Sequence, residues 1–552
     1  QASGSVVTRK GDALRQPIAF YSGTLRVPGD VDVALGGFEV RGSVAGPGVI
    51  TLIDGTGARA SVRVHADENG DFRSSLHDFD ALLPTPVVPR FVLELSNDGS
   101  DTPAKWGPIA TSVDLPCPPT SDWLQKELHA ELDWIFRLWL ERGLDREGPR
   151  ETSFTCNMLD VVTGAKLVTV EAVSQPQPLY ELMLDAWVID HDPAWGAALE
   201  RYVEEFLTLG IQPDTGIPRQ YDCVRDEPLD RNALEIAKAF HFLLDLAEKG
   251  PEEFRERALA AGKELGETVL AKGVLPDGSI APIYVPADAS PRTDAPPLRR
   301  LDVAAELARL SKLTGDPRFA AAARRAIAEI EFTNHWPGEW DRIDPGFDDS
   351  FGHYGARAVT MLEAFPDDPV FRRVVASGWR VYGPLWSEAL RFGGSMAADQ
   401  VRCWDLLERY MRLEPAGSTA RAEFRRTLAL AVRAHFKGEQ YGNGAWGDVT
   451  YQDFDPKIGL SVGDLPGAPA NLLWGLGIAH RRELALDDAS LGRAAFAPRQ
   501  VEAMFLAVFL STRDAYKRPY GYLSTQRERT GANPGAGELR VARGLIEMLA
   551  TL

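Results

Sequence analysis

Between residues 17 and 115 apolar and polar positions alternate in short runs, IAFYSGTLRV, DVALGGFEVRGSV, GVITLIDG, ARASVRVHA and RFVLELSN, divided by Gly, Asp, Asn and Pro. A period of two turns one face of each run inward, so this part is predicted to be an all-β sandwich. The Pro-rich DLPCPPTSDW follows as a junction, with Ser121 or Asp122 as a helix N-cap, and divides the chain into residues 1–116 and 117–552. From SDWLQKELHAELDWIFRLWLERG onward the apolar period lengthens to about 3.6, the spacing of amphipathic helices.

Fourteen helical patterns are predicted, at 121–143, 177–190, 193–209, 230–248, 251–272, 300–314, 317–333, 351–364, 367–382, 396–413, 418–437, 467–484, 497–513 and 537–551. Many pairs are divided by short turns such as EKGPEE, LTGDPR and FPDDP. The return from one pair to the next runs through longer loops rich in Gly, Pro and aromatics: GIPRQYDC at 216, GVLPDGSIAPIYVP at 273, NHWPGEWDRIDPGFDDSFGHYG at 334, YGNGAWGDVTYQDFDP at 441 and RPYGYLST at 518. Such a repeat means stacked supersecondary units. The last pattern, ELRVARGLIEMLATL, is apolar enough to pack against the first, which favours a closed ring over an open solenoid. In a ring the long loops converge at one end, and loops held on a rigid scaffold are where function concentrates.

Composition narrows the partners. With 60 basic against 79 acidic residues and a net charge of −19, the chain does not attract nucleic acid or an anionic membrane as a general partner. No run of eighteen apolar residues occurs, so no membrane-spanning helix is expected. The opening QASGSVVTRKG is small and polar, like the residues that follow a removed signal peptide, and a secreted or periplasmic location is expected. The four Cys lack CxxC spacing, which argues against zinc and for buried thiols. An oxidising compartment would allow a Cys117 to Cys156 bridge.

A small N-terminal β-sandwich followed by a ring of paired helices resembles the (α/α) toroid or barrel folds of carbohydrate-active enzymes, both polysaccharide lyases and inverting glycoside hydrolases. The resemblance covers residues 121 to 552 and implies an (α/α)6 or (α/α)7 barrel acting on a polysaccharide or oligosaccharide. No cofactor is expected beyond a structural calcium among Asp448, Asp453 and Asp455.

The long loops carry residues suited to sugars. Trp336, Trp340, Tyr221, Tyr284, Tyr441, Trp446 and Tyr451 offer faces for stacking, while Arg219, Asn334, Asn443 and Asp448 offer hydrogen bonds to hydroxyls. Two cleavage chemistries fit. In β-elimination a base removes the proton at C5 of a uronate, an acid protonates the leaving oxygen and the carboxylate is neutralised. His353, Tyr354, Asn334 and Arg342 are the candidates, with Tyr441 as a further proton donor. Arg219, Arg299, Arg300 and Arg342 would supply the local positive charge. In hydrolysis two carboxylates flank the bond, and Glu339 and Asp349 facing Asp448 are candidates. Elimination leads because His, Tyr, Asn and Arg occur together in one loop region. A binding or scaffolding module would need the aromatics but no matched acid and base. The histidines inside helical patterns, His129, His241, His435 and His480, read as packing or surface residues.

Overall fold

The computed structural model describes residues 6–18, 24–27, 31–34, 38–54, 59–75, 91–113, 118–156, 159, 165–166, 169–170, 172–173, 176–292, 299–332, 350–389, 397–438, 454–455, 460–461, 467–516 and 538–552. The first part contains β1 (Val6–Thr8), β2 (Ala13–Ile18), β3 (Thr24–Val27), β4 (Val31–Ala34), β5 (Phe38–Ala45), β6 (Gly48–Asp54), β7 (Arg59–Arg63), β8 (Asp71–Ser75), β9 (Phe91–Asn97) and β10 (Ala104–Val113). They form two four-stranded antiparallel sheets, ordered β1-β10-β5-β8 and β2-β9-β6-β7, and a separate β3-β4 pair. Val40, Val44, Phe72 and Trp106 of the first sheet share one hydrophobic cluster with Ile50, Ala60, Leu93 and Leu95 of the second. The Trp106 indole satisfies its N–H inside that cluster by donating to the Thr8 hydroxyl at 2.9 Å. Strand β10 escapes the sequence pattern because its register shifts between Trp106 and Ile109, around a Gly-Pro pair that breaks the alternation.

Fourteen helices follow among the described residues, apart from single turns of 3₁₀ or π type: α1 (Ser121–Arg142), α2 (Pro178–Asp190), α3 (Pro193–Leu209), α4 (Ala237–Lys249), α5 (Glu252–Thr268), α6 (Arg300–Thr314), α7 (Pro317–Ala326), α8 (Ser350–Ala364), α9 (Pro369–Ala389), α10 (Ala397–Arg412), α11 (Thr419–Gly438), α12 (Gly467–His480), α13 (Pro498–Tyr516) and α14 (Glu538–Leu549). The even-numbered helices pack in sequence, α2 on α4, α4 on α6, and so on through α8, α10 and α12 to α14, which packs back on α2. Each also packs on an odd-numbered helix, α2 with α3, α4 with α5, up to α12 with α13, and α14 with α1. The result is a closed ring of seven helix pairs, with even-numbered helices inside and the last pair joining the chain's last helix to its first.

Most connections that leave the inner helices are short and most that enter them are long; the seven-residue link into α10 and the seventeen-residue link out of α12 are the exceptions. Three short turns use one device: an Asp whose carboxylate accepts backbone N–H groups, then Pro at the first helical position. Asp192 caps Ala194 and Trp195, Asp316 caps Arg318, and Asp368 caps Val370 and Phe371. Helix α1 is capped by Thr120, whose hydroxyl accepts from Trp123 N at 3.0 Å, one residue before the Ser121 and Asp122 expected from sequence. Helix α7 stops at Ala326, short of the expected 333, and a side chain from another helix takes the carbonyls that follow it. Arg373 of α9 donates to Ala328 O and Ile330 O at 2.6 and 3.1 Å.

The described long loops repeat a small design. A turn closed by a single bridge, Ile211 with Pro218 and Val274 with Ile280, leads into an antiparallel hairpin. The left-handed position in each turn is a glycine, Gly216 (φ 66°) and Gly278 (φ 85°). The hairpins are β12 (Gln220–Asp222) with β13 (Glu227–Leu229), and β15 (Ile283–Val285) with β16 (Ser290–Arg292). Strand β11 (Ala172–Val173) joins the first and β14 (Leu234–Glu235) the second.

Candidate functional site

An inner helix is surrounded by protein on most of its circumference, so polar residues on it must face one another or the axis. Helix α4, AKAFHFLLDLAEK, buries Phe240, Phe242, Leu243, Leu244 and Leu246, while His241, Asp245 and Lys249 recur every fourth residue along one stripe. Those three, with Asp185 of α2, Arg309 of α6, Arg357, Thr360 and Glu363 of α8, Asp405 and Arg409 of α10, Trp474 of α12 and Arg543 of α14, line one axial cavity of about 450 Å³. Every inner helix contributes. Gly352 and Ala356 complete the α8 wall, so the lining spans twelve residues of that helix, roughly 16 Å along the axis.

The cavity wall is a network of opposite charges. His241 Nδ1 stands 2.9 Å from a carboxylate oxygen of Glu306, a side chain buried on α6. Arg309 donates to the other Glu306 oxygen at 2.9 Å and to Asp245 at 2.7 Å. Its guanidinium also lies 2.9 Å from His241 Nδ1, which is a repulsive approach when that nitrogen is protonated and donating to Glu306. Lys249 bridges Asp185 at 2.6 Å and Asp245 at 3.1 Å. Arg357 pairs with Asp302, Arg409 with Glu363 and Thr360, and Arg481 with Asp405 and Glu547.

These contacts set the protonation states. Burial alone pushes the His241 imidazole down, but the carboxylates of Glu306 and Asp245 outweigh it and hold the ring above its ordinary value, with Arg357 opposing them. Burial pushes Asp245 and Glu306 up, yet both end below the usual carboxylate range. His241, Lys249 and Arg309 do this for Asp245, and His241, Arg309 and Arg357 for Glu306. Glu181, one turn before Asp185 on α2, behaves differently: burial raises it, and the more distant Lys238, His241 and Arg543 pull it back only in part. An imidazole held by a buried carboxylate in a cavity wall is equipment for moving protons to and from a bound molecule.

The residues anticipated from sequence fall elsewhere or outside the described set. Asn334, Trp336, Glu339, Trp340, Arg342, Asp349, Tyr441, Asn443, Trp446 and Asp448 lie outside the described residues, as does the side chain of His353, whose backbone is in the first turn of α8. The side chains of the calcium candidates Asp453 and Asp455 are likewise outside it. Tyr354 is 1% exposed and part of the main hydrophobic core, on the face of α8 turned away from Gly352, Ala356 and Thr360. Tyr221 is 3% exposed, packs near Phe154 and donates to the Asp226 carboxylate within its own hairpin.

The expected arginine cluster is also dispersed. Arg219 is held by Leu209 O at 2.9 Å and Asp230 at 3.4 Å, Arg299 pairs with Glu235, and Arg300 donates to Ala326 O at 3.4 Å. The positive charge of the interior comes instead from Lys249, Arg309, Arg357, Arg409 and Arg543. Tyr284 is fully buried. Cys156 is buried, and Cys117, its expected partner, lies outside the described residues. His129 and His480 hold structural positions, His129 stacked on Trp195 and ion-paired with Asp190, His480 bonded to Thr551. His241 differs from them in lining the axial cavity. The signal that distinguishes it was the stripe of titratable residues at every fourth position on an otherwise apolar helix.

Fold and cavity together define a ring of seven helix pairs around a charged axial chamber. No protein-family model matches the sequence, and no curated protein matches it either. Among solved structures the chain is similar to a cellobiose 2-epimerase from Bacillus thermoamylovorans, at 12% identity over 78% of this chain and 100% of that one, with a TM-score of 0.46. It is also similar to an α-1,2-mannosidase from Trichoderma reesei, at 13% identity over 78% and 93%, with a TM-score of 0.47. A family 76 glycoside hydrolase from a bovine Bacteroides thetaiotaomicron strain gives 11% identity over 93% and 99%, with a TM-score of 0.38. Likeness at this level assigns no chemistry.

Proposed function

We propose that the chain is a carbohydrate-active enzyme whose axial chamber cleaves a uronate-containing glycan by β-elimination, with His241 as the proton-transfer group. The observation that carries this reading is the chamber itself: one cavity of about 450 Å³ to which all seven inner helices contribute, with an imidazole held by a buried carboxylate in its wall. A polyhydroxylated ligand needs many hydrogen-bonding groups around an enclosed volume, and Arg309, Arg357, Arg409, Arg543, Thr360 and the acids supply them. Trp474 adds an aromatic surface.

Hydrolysis is the alternative, and it requires two carboxylates free to act on opposite sides of the bond. Among the described residues the acids that line the chamber are tied into ion pairs with Arg or Lys, so the described wall favours proton transfer by His over a carboxylate pair. The paired N-terminal sheets are read as a β-sandwich appended to this ring.

The test is a panel of neutral and uronate-containing polysaccharides, followed both by reducing ends and by the ultraviolet absorbance of an unsaturated product. Reducing ends that rise together with absorbance on a uronate polymer are expected. Reducing ends without absorbance would establish hydrolysis, and no new ends on any polymer would overturn the enzymatic reading.

A further inference from the structure

Inside the chamber nearly every charge has a partner. Asp185 and Asp245 share Lys249, Glu363 holds Arg409, Asp405 holds Arg481, and Glu306 is shared by His241 and Arg309. One lining charge does not follow this pattern, and a second unpaired group lies close to the lining on the neighbouring inner helix. Arg543 of α14 makes no ion pair among the described residues. Its guanidinium lies over the Trp474 ring, 4.4 Å from the centroid, and the side chain is exposed although Val541, Ala542 and Leu545 around it are buried. Since α14 is an inner helix and Arg543 lines the axial cavity, that exposure is to the chamber. The side chain of Glu181 on α2, the helix on which α14 packs, makes no hydrogen bond or ion pair among the described residues either, and it sits one helical turn from Asp185, which lines the cavity. It lies near enough to feel both Arg543 and His241 electrostatically.

A guanidinium seated over an indole is held by the ring rather than by an acid, so its N–H fork stays available to a planar anion. A carboxylate is the planar anion that matches that fork. The solvated alternative, a lone surface arginine, does not apply to a side chain lining a cavity that all seven inner helices build. Resting on the reading of the chamber as a sugar site, we propose that Arg543, seated over Trp474, binds the carboxylate of an acidic sugar, and that Glu181 hydrogen-bonds a hydroxyl of the same sugar. The pair then discriminates by charge: the guanidinium gains a charge-assisted, two-point contact with a uronate, and a neutral hexose leaves it unpaired.

The experiment measures binding of glucuronate, glucose and acetate to the intact chain by calorimetry, for the natural sequence, Arg543→Gln, Glu181→Gln and the control Arg137→Gln, which alters an exposed pair on the outer helix α1. The natural chain and the control are expected to bind glucuronate at least ten-fold more tightly than glucose. In Arg543→Gln that preference is expected to fall to near one, and Glu181→Gln is expected to weaken glucuronate binding several-fold. Each variant is checked for unchanged circular dichroism, so that loss of fold is not mistaken for loss of contact. If Arg543→Gln keeps the preference, the subsite is elsewhere and the proposal fails. If glucose binds as tightly as glucuronate, the carbohydrate reading stands and the anionic subsite does not. If acetate binds through Arg543 while neither sugar binds, an anion site exists without sugar recognition, and both the proposal and the reading beneath it are overturned.

Discussion

At the scale of single residues, the chamber depends on His241 and on the carboxylate behind it. If His241 moves the proton, His241→Gln should lower turnover by roughly 10²- to 10⁴-fold, the range that a positioned acid or base contributes, while circular dichroism stays unchanged. Glu306 is a positioning residue for that ring. Glu306→Gln keeps shape and removes the charge that raises the imidazole, so the acidic limb of the pH–rate profile should shift to lower pH. A limb that stays in place would exclude His241 as the titrating group. The linkage to stability runs in the matching direction. A histidine whose folded value lies above its unfolded one contributes stability that is fully present below about 6.5 and is lost as pH rises through the folded value. Denaturant midpoints of the natural chain and His241→Gln should therefore differ most in mildly acidic solution and converge as the pH becomes alkaline. His241 was hard to single out in the sequence because a histidine within an apolar helix usually packs. What sets it apart is its contact with Glu306, 65 residues away in sequence.

At the scale of elements, the arrangement of the helices was legible and their ends less so. The switch in apolar period from two to 3.6 located the boundary between sheets and helices, and Asp-Pro turns marked where an inner helix gives way to an outer one. The end of α7 could not be read; Arg373 from another helix takes the carbonyls that follow it. Nor could the partner of α14 be read in detail. It packs on α12 at van der Waals limits: a Cβ on Gly544 would stand 2.6 Å from the Leu473 side chain and 2.9 Å from Trp474 N. Gly544→Ala must therefore push α12 and α14 apart. It should destabilise by about 1–3 kcal/mol, as overpacking does, and displace Arg543 from Trp474, so that urea midpoint and sugar affinity fall together. The Asp-Pro device predicts a smaller local effect. Asp192→Ala removes the acceptor for Ala194 N and should cost about 1 kcal/mol in urea unfolding with no change in activity, since the turn lies outside the chamber.

At the scale of the whole molecule, closure of the ring is what makes the chamber. Helix α12 is apolar on every side, with Leu472, Leu473, Leu476, Ile478 and Ala479 all buried, and it depends on neighbours around its whole circumference. Helix α14 covers one side of it and also packs on α1 and α2, so fifteen residues at the end of the sequence join the last repeat to the first. The sequence foretold this contact from the apolar face of ELRVARGLIEMLATL, but not that seven helices would each give side chains to one cavity. That depends on the angle each helix takes to the axis, which side-chain periodicity does not encode. Removing residues 538–552 should open the ring, expose α12 and replace one sharp thermal transition with a broad, non-cooperative one in far-ultraviolet circular dichroism. Removing residues 1–113 tests the opposite limit. Their hydrophobic cluster shares no residue with that of the helices, so the helical transition should persist with its midpoint little changed. If both deletions proved equally disruptive, the sheets would be part of the ring's own core, and the division of the chain into two cores would be wrong.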